Sequence, residues 1–105
     1  MIVKTWRNAK AEAENPVYGI SIKTSDRDEY FKRNWSSVFI QIDSEVVEII
    51  LSSAFWTTCN ELRDNLIKEF ILENNLGSWK KGIPNNLKLT PIKDRWFKLE
   101  LTEME

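Results

Sequence analysis

The pattern of apolar and polar residues predicts one long amphipathic helix over residues 53–77. Apolar side chains recur every three or four positions there, which places them on one stripe of a helix with 3.6 residues per turn. They are Phe55, Cys59, Leu62, Leu66, Ile67, Phe70 and Ile71. Thr58 and Glu61 have the spacing of a capping box, and Gly77 stands where a left-handed residue would end the helix. We therefore expect the rest of the chain to pack around this helix.

Two pairs of alternating segments predict two β-hairpins. They are residues 38–42 with 46–51, joined at 43–45, and residues 87–89 with 96–101, joined near Lys93-Asp94. In each segment one face is largely apolar and the other polar, the half-buried pattern of an antiparallel sheet. Pro91 indicates that its strand lies at a sheet edge or ends early, because proline cannot donate a hydrogen bond to a neighbouring strand.

The N-terminal third of the chain has weaker signals. Tyr18, Ile20 and Ile22 alternate and predict a strand over residues 17–23, followed by a short capped helix from Ser25. Residues 1–16 are expected to form a loosely held arm, with a short strand possible at residues 2–6. The acidic residues 102–105 are expected to fray.

These elements together predict an α+β fold, in which an antiparallel sheet packs on one long amphipathic helix. The sheet would consist of the two hairpins and an N-terminal strand. The 105 residues are expected to form a single domain, long enough to bury a core without disulfides or metal. A content of 42% hydrophobic and 30% charged residues argues against global disorder.

Several catalytic classes are excluded by residue types that the chain lacks. It has no histidine, one cysteine and three glycines, so His-dependent nucleophiles, Cys/His zinc sites and Gly-rich phosphate loops are absent. Asp26, Asp28 and Glu29 could hold Mg²⁺, but acids in the first turn of a short helix are the commoner arrangement. Cys59, on the apolar stripe, is expected to be a buried, inert thiol. We therefore predict a non-enzymatic protein with no metal and no cofactor.

The sequence also bears on where the protein acts. No apolar run is long enough to span a bilayer, and the N-terminus lacks the apolar core of a signal peptide. A single cysteine is typical of a reducing compartment. We therefore predict a cytoplasmic protein with no membrane partner.

Charge is distributed unevenly along the chain, although the net charge is only −1. Residues 43–73 carry seven acids against two bases, and residues 77–99 carry six bases against one acid. Tryptophans lie within the basic stretch, and this mixture suits single-stranded nucleic acid or a bent duplex, because cations neutralise phosphates while aromatic rings stack on unpaired bases. The predicted binding residues are Trp79, Lys80, Lys81, Lys93, Arg95, Trp96 and Lys98.

The predicted binding site requires two structural conditions. Trp96 alternates with Phe97, so if Phe97 points into the core, Trp96 points outward. The basic residues must also converge on a single open face with Trp79 or Trp96 exposed among them. A basic strand face is equally typical of a solvated edge strand, which avoids aggregation in this way.

The alternative is a protein–protein interaction module, such as an inhibitor, an antitoxin or immunity protein, or a phage accessory protein. An acidic helix face set against a basic hairpin could recognise a protein partner, and exposed aromatic residues could anchor it. The same surfaces could form a homodimer through an edge strand. This reading predicts an apolar patch rimmed by mixed charge.

Overall fold

The computed structural model describes residues 1–8 and 16–102, which form seven strands and three short helices. The strands are β1 (Ile2–Arg7), β2 (Tyr18–Ser21), β3 (Ser37–Ile42), β4 (Glu45–Ile50), β5 (Glu61–Arg63), β6 (Asn86–Lys93) and β7 (Trp96–Leu101). The helices are α1 (Thr24–Tyr30), α2 (Ser53–Thr57) and α3 (Asn65–Glu73).

All seven strands belong to one mixed sheet with the order β4-β3-β7-β6-β1-β2-β5. Neighbouring strands are antiparallel except β3 and β7, which run parallel. The sheet is nearly barrel-shaped, and its edge strands β4 and β5 lie on either side of an open cleft of about 270 Å³. Ile49 and Ile50 line the cleft from β4, and Glu61 and Arg63 line it from β5.

The core fills the concave side of the sheet. Inward-pointing strand residues such as Val3, Ile40 and Phe97 are fully buried, and helix residues such as Ile67 belong to the same cluster. The ring of Phe31, just after α1, stacks on Phe97 with a centroid distance of 4.7 Å. Helices α2 and α3 contribute side chains to this cluster, and α1 lies beside it through its buried Arg27 and the Phe31 that follows it. No described helix therefore covers the side chains that alternate away from the core, and we call the surface that they form the outer face.

The prediction of an antiparallel sheet packed on one long helix is wrong. Residues 53–77 form α2, β5 and α3 rather than a single helix. Strand β5 interrupts the helix because its backbone pairs with β2, and the Ile22 amide donates to the Asn60 carbonyl at 2.9 Å. Asp64 then starts α3 anew, since its side chain accepts a hydrogen bond from the Leu66 amide at 2.9 Å.

The predicted end signals of the long helix are also wrong. Glu61 lies in β5, so Thr58 and Glu61 do not form a capping box. The left-handed residue after α3 is Asn75, with φ of 59°, and not Gly77. Asparagine tolerates this conformation, and the Leu76 amide closes the turn on the Ile71 carbonyl at 2.9 Å.

Both predicted hairpins are confirmed, as β3–β4 and β6–β7. Each turns through a residue with positive φ, Asp43 at 54° and Asp94 at 49°. The burial of Tyr18 and Ile20 in β2 is confirmed as well. The short helix is present as α1, but it follows Lys23 and no side chain caps its first turn.

The N-terminal segment takes part in the sheet more than the sequence indicated. Strand β1 lies between β6 and β2, with Val3 opposite Leu87 and Thr5 opposite Ile20, so the predicted loose arm does not extend over residues 2–7. Residues 9–15, and the predicted frayed end at 103–105, lie outside the described residues. Strand β6 is likewise not an edge strand, although Pro91 lies beyond the part of it that pairs with β1.

Candidate nucleic-acid interface

Two aromatic side chains lie next to each other on the outer face. Phe39 on β3 and Trp96 on β7 are direct register partners, and their rings stack with a centroid distance of 4.8 Å and an interplanar angle of 16°. They point outward because Val38, Ile40 and Phe97, their neighbours along the strands, point into the core. Both rings are half-buried, so the pair remains accessible to solvent.

The Arg95 guanidinium extends this stack. Its central carbon lies 5.2 Å from the centre of the Phe39 ring, and its Nη1 donates to the hydroxyl of Ser37 at 3.1 Å. The Ser37 hydroxyl in turn donates to a Glu48 carboxylate oxygen at 2.6 Å. Arg95 is therefore held in place on a buried serine before any ligand arrives.

Two lysines flank the aromatic pair. Lys93 is the direct register partner of Trp96, and Lys98 lies two residues further along the same face of β7. The Lys98 amine is 3.5 Å from a Glu100 oxygen, but both side chains are well exposed and such pairs contribute little. We call the surface formed by Phe39, Lys93, Arg95, Trp96 and Lys98 the Trp96 platform.

The other predicted site residues lie at the opposite end of the hairpin. Trp79, Lys80 and Lys81 belong to the loop that precedes β6, whereas Lys93 and Arg95 follow or end it. Eight strand residues separate these groups by about 23 Å. The seven predicted residues therefore divide into two groups, and the convergence expected of all the basic residues is not found. Only Lys93, Arg95, Trp96 and Lys98 share one face, so a site can be argued for these four alone.

The loop group has its own contacts. The Arg7 guanidinium lies over the Trp79 ring, 4.9 Å from its centre, and also donates to the Gly77 carbonyl at 3.2 Å. Lys80 and Lys81 are exposed. Trp79 therefore packs against Arg7, whereas Trp96 packs against Phe39.

The outer face has a second aromatic residue, Trp6, which was not among the binding residues predicted from the sequence. Trp6 on β1 lies beneath the Arg63 guanidinium, 4.5 Å from the ring centre. Lys4 lies on the same face of β1 and donates to the Asn86 side chain at 2.7 Å. Alternation with the buried Val3 and Thr5 was the available signal, because it assigns Lys4 and Trp6 to the opposite face.

The outer face has an excess of positive charge among the strand and turn residues described. Six cations are assigned to it: Lys4, Arg63, Lys88, Lys93, Arg95 and Lys98. Three acidic strand residues accompany them, Glu48, Glu61 and Glu100, and the turn residue Asp43 lines a cavity together with Lys98 and Glu100. Each of the strand acids has a nearby hydroxyl or cation, as described for Glu48 and Glu100, and Glu61 lies 3.6 Å from Arg63. This face therefore favours an anionic ligand.

Other candidate chemistry does not assemble into a site. In residues 1–8 and 16–102, no three His, Cys, Asp or Glu side chains are placed to hold a metal ion. Near Asp26 and Asp28, the buried Arg27 donates to the Asp28 carboxylate at 3.0 Å and to the Phe55 carbonyl at 3.1 Å, which is a structural arrangement. Cys59 is half-buried at the cleft between β4 and β5, rather than fully buried as expected.

Comparison with protein-family models, curated proteins and solved structures gives no match. None of the described helices has the length and apolar character required to cross a bilayer. Arguments about function therefore depend on the geometry of the outer face.

Proposed function

We propose that this is a non-enzymatic protein that binds single-stranded nucleic acid on its outer face. The observation that carries the proposal is the stacked pair of Phe39 and Trp96 on an uncovered sheet surface. Phe39 is occupied by Trp96 and Arg95, so an unpaired base would stack on the Trp96 ring, a contact that is worth about 1–3 kcal/mol and depends little on sequence. Paired bases inside a duplex do not offer their faces in this way. The proposal includes a cytoplasmic location, where the free thiol of Cys59 stays reduced.

The basic residues of the Trp96 platform supply the phosphate contacts. Lys93 lies opposite the tryptophan on β6 and Lys98 lies two residues further along β7, so the nucleic-acid backbone next to a stacked base passes close to both amines. Arg95 is already oriented by Ser37, so less side-chain entropy is lost when it binds a phosphate.

A row of cations crosses the outer face from Trp96 to Trp6 and offers a path for a single nucleic-acid strand. Starting from Trp96, the strand registers place Lys98 first on this path, followed by Lys88 on β6 and then Lys4 on β1. From Trp96 to Trp6 this path advances by two residues four times, which is about 26 Å along the β-strands. It also crosses from β7 to β6 and from β6 to β1, which adds about 10 Å at right angles. A track of this length accommodates several nucleotides, within the range of small single-strand binding modules.

The first test is fluorescence anisotropy with labelled single-stranded DNA and RNA of mixed sequence, and with the matching duplexes. We expect the single strands to bind more tightly than the duplexes. Trp96→Ala should weaken single-strand binding by about 5- to 150-fold, the equivalent of one lost stacking contact. Trp79→Ala is the matched control, because it removes a tryptophan from the opposite end of the hairpin and should leave the affinity unchanged.

Salt dependence tests the phosphate contacts separately. Affinity should fall linearly on a log–log plot, with a slope of about −0.7 for each phosphate contact to a single strand. Lys98→Ala should reduce that slope by about 0.7, whereas Lys81→Ala should not change it. Absence of binding at low salt, or a larger effect of the Trp79 and Lys81 variants, would contradict the proposal.

A protein-interaction module remains the second candidate, and one observation favours it. The edge strand β4 exposes Val46 and Ile50, whose side chains are 45% and 72% accessible. Exposed apolar residues on an unpaired edge are typical of association by strand addition. If oligonucleotides do not bind, this edge is the surface from which to search for a partner.

A further inference from the structure

Strand β4 is an edge strand with little of the usual protection against pairing, since its only charged residues are Glu45 and Glu48. Its sequence from Glu45 to Ile50 contains no lysine, arginine or proline, and its pairing with β3 has no bulge. Natural edge strands commonly use these features to prevent association. The open cleft beside Ile49 and Ile50 means that β5 does not occupy this edge.

The free backbone groups of β4 follow from its hydrogen-bond pattern. The Leu51 amide donates to the Ser36 carbonyl at 2.9 Å, and the hairpin register carries the same inward pattern to residues 45, 47 and 49. Because the pattern alternates along an antiparallel strand, the N–H and C=O groups of Val46, Glu48 and Ile50 point to the open side. These are also the residues whose side chains lie on the outer face.

We propose that β4 pairs with β4 of a second copy of this chain, antiparallel and about a two-fold axis at Glu48. This register joins all three outward-pointing residues in hydrogen-bonded pairs, with Val46 opposite Ile50 of the second copy and Glu48 opposite Glu48. The exposed Val46 and Ile50 side chains then cover each other, and the two-fold axis makes this contact twice. A shift of one residue in each copy would instead place Val46 opposite Glu48 or Ser52, and the apolar contact would be lost.

The two Glu48 side chains set the strength of this dimer. Like charges directly opposite each other on adjacent strands are destabilising. The repulsion is reduced, however, because each Glu48 carboxylate accepts a hydrogen bond from the Ser37 hydroxyl on the side away from the open edge. Arg95 donates to the same hydroxyl. The contact area of one strand edge is also small. The dimer is therefore weak and forms in the micromolar-to-millimolar range.

Association is measured by sedimentation velocity over a wide range of protein concentration, without nucleic acid. Ile50→Lys should abolish the dimer, while Ile83→Lys should leave it intact, since Ile83 is also exposed (66%) but lies in the loop before β6. Glu48→Gln should tighten the dimer by about two- to fivefold, because it removes the like-charge pair and keeps an acceptor for Ser37. A chain that is monomeric at all concentrations, or an Ile50→Lys variant that associates like the wild type, would overturn the proposal.

Disulfide trapping tests the register, in a Cys59→Ser background. Glu48→Cys should cross-link to its own copy, because directly opposed residues in a hydrogen-bonded pair have Cα atoms about 5.5 Å apart, within disulfide reach. Val46→Cys should not, because two-fold related Val46 residues would lie about 14 Å apart. Cross-linking through position 46 but not position 48 would refute this register. Since oligonucleotides are absent from both measurements, their outcome is independent of the nucleic-acid proposal.

Discussion

Gly19 lies where strands β2 and β5 approach each other most closely. A methyl group at this position would overlap the Leu62 carbonyl oxygen, and would lie 3.1 Å from the Leu62 carbonyl carbon and 3.2 Å from the Arg63 Cα. All three are backbone atoms, so no side-chain rotation relieves the overlap. Gly19→Ala must therefore displace β5 from β2.

The cost of this displacement can be estimated from two contributions. Overpacking a well-packed site costs about 1–3 kcal/mol. Moving β5 also weakens its pairing with β2, which includes the 2.9 Å hydrogen bond from Ile22 to Asn60, at about 1 kcal/mol for each bond lost. We therefore expect Gly19→Ala to reduce the free energy of unfolding by about 2–5 kcal/mol. With a urea m-value of about 2 kcal/mol/M, the midpoint falls by about 1–2.5 M.

The assay is urea unfolding, followed by tryptophan fluorescence and far-UV circular dichroism. Gly77→Ala is the matched control, because the only atom too close to its added methyl is at the end of the flexible Leu72 side chain, at 2.7 Å, while Tyr18 lies at an ordinary contact distance of 3.5 Å. Its cost should stay below about 1 kcal/mol. If Gly19→Ala is no more destabilising than Gly77→Ala, the close approach of β5 to β2 is wrong.

Three further substitutions test the structure by urea unfolding. Asp64→Ala should cost about 1 kcal/mol, since it removes the side-chain cap of α3, and a neutral result would contradict the restart of the helix at this residue. Phe97→Ala should cost about 3–5 kcal/mol, because the ring is fully buried and stacked on Phe31, and a cost under about 1 kcal/mol would place it outside the core. Arg27→Met should cost about 1–3 kcal/mol by leaving the Phe55 carbonyl without its donor, and should cost nothing if that hydrogen bond is absent.

The stretch from residue 53 to 77 explains why its helix was predicted too long. Phe55, Leu62 and Ile67 are all buried, yet they belong to α2, β5 and α3. Spacings of three and four persist because each short element turns its apolar residue to the same core. The distinguishing signals were local, namely the run of weak helix formers at residues 57–60 and the strong N-cap residue Asp64.

Hairpins were predictable from the sequence and the order of strands in the sheet was not. In a hairpin the partners are neighbours along the chain, and alternation with a turn signal identifies both. The pairing of Val3 with Leu87 and of Phe39 with Trp96 joins distant segments that share no local signal. The outward direction of Trp96 therefore followed from alternation, whereas its stacking partner Phe39 could not be found.

The candidate site was limited in the same way. Lys81 and Lys93 lie in one basic stretch of the sequence, but the strand between them carries them to opposite ends of the hairpin. Conversely, Lys4 is far from Lys88 in the sequence and lies beside it on the outer face. Charge counted along the chain cannot show such convergence until strand directions and neighbours are known.

The position of the β6–β7 hairpin has a consequence for folding during synthesis. This hairpin occupies the middle of the sheet, between the β4-β3 pair and the β1-β2-β5 group, but it is the last of these elements to leave the ribosome. Until it emerges, β3 and β1 each have an unpaired inner edge, and the two partial sheets have no strand to join them. Unpaired edges of this kind are prone to aggregation in incomplete chains. Cooperative folding of this protein must therefore wait for its C-terminal quarter, and ribosome-stalled chains that stop before Leu87 should depend on chaperones to remain soluble.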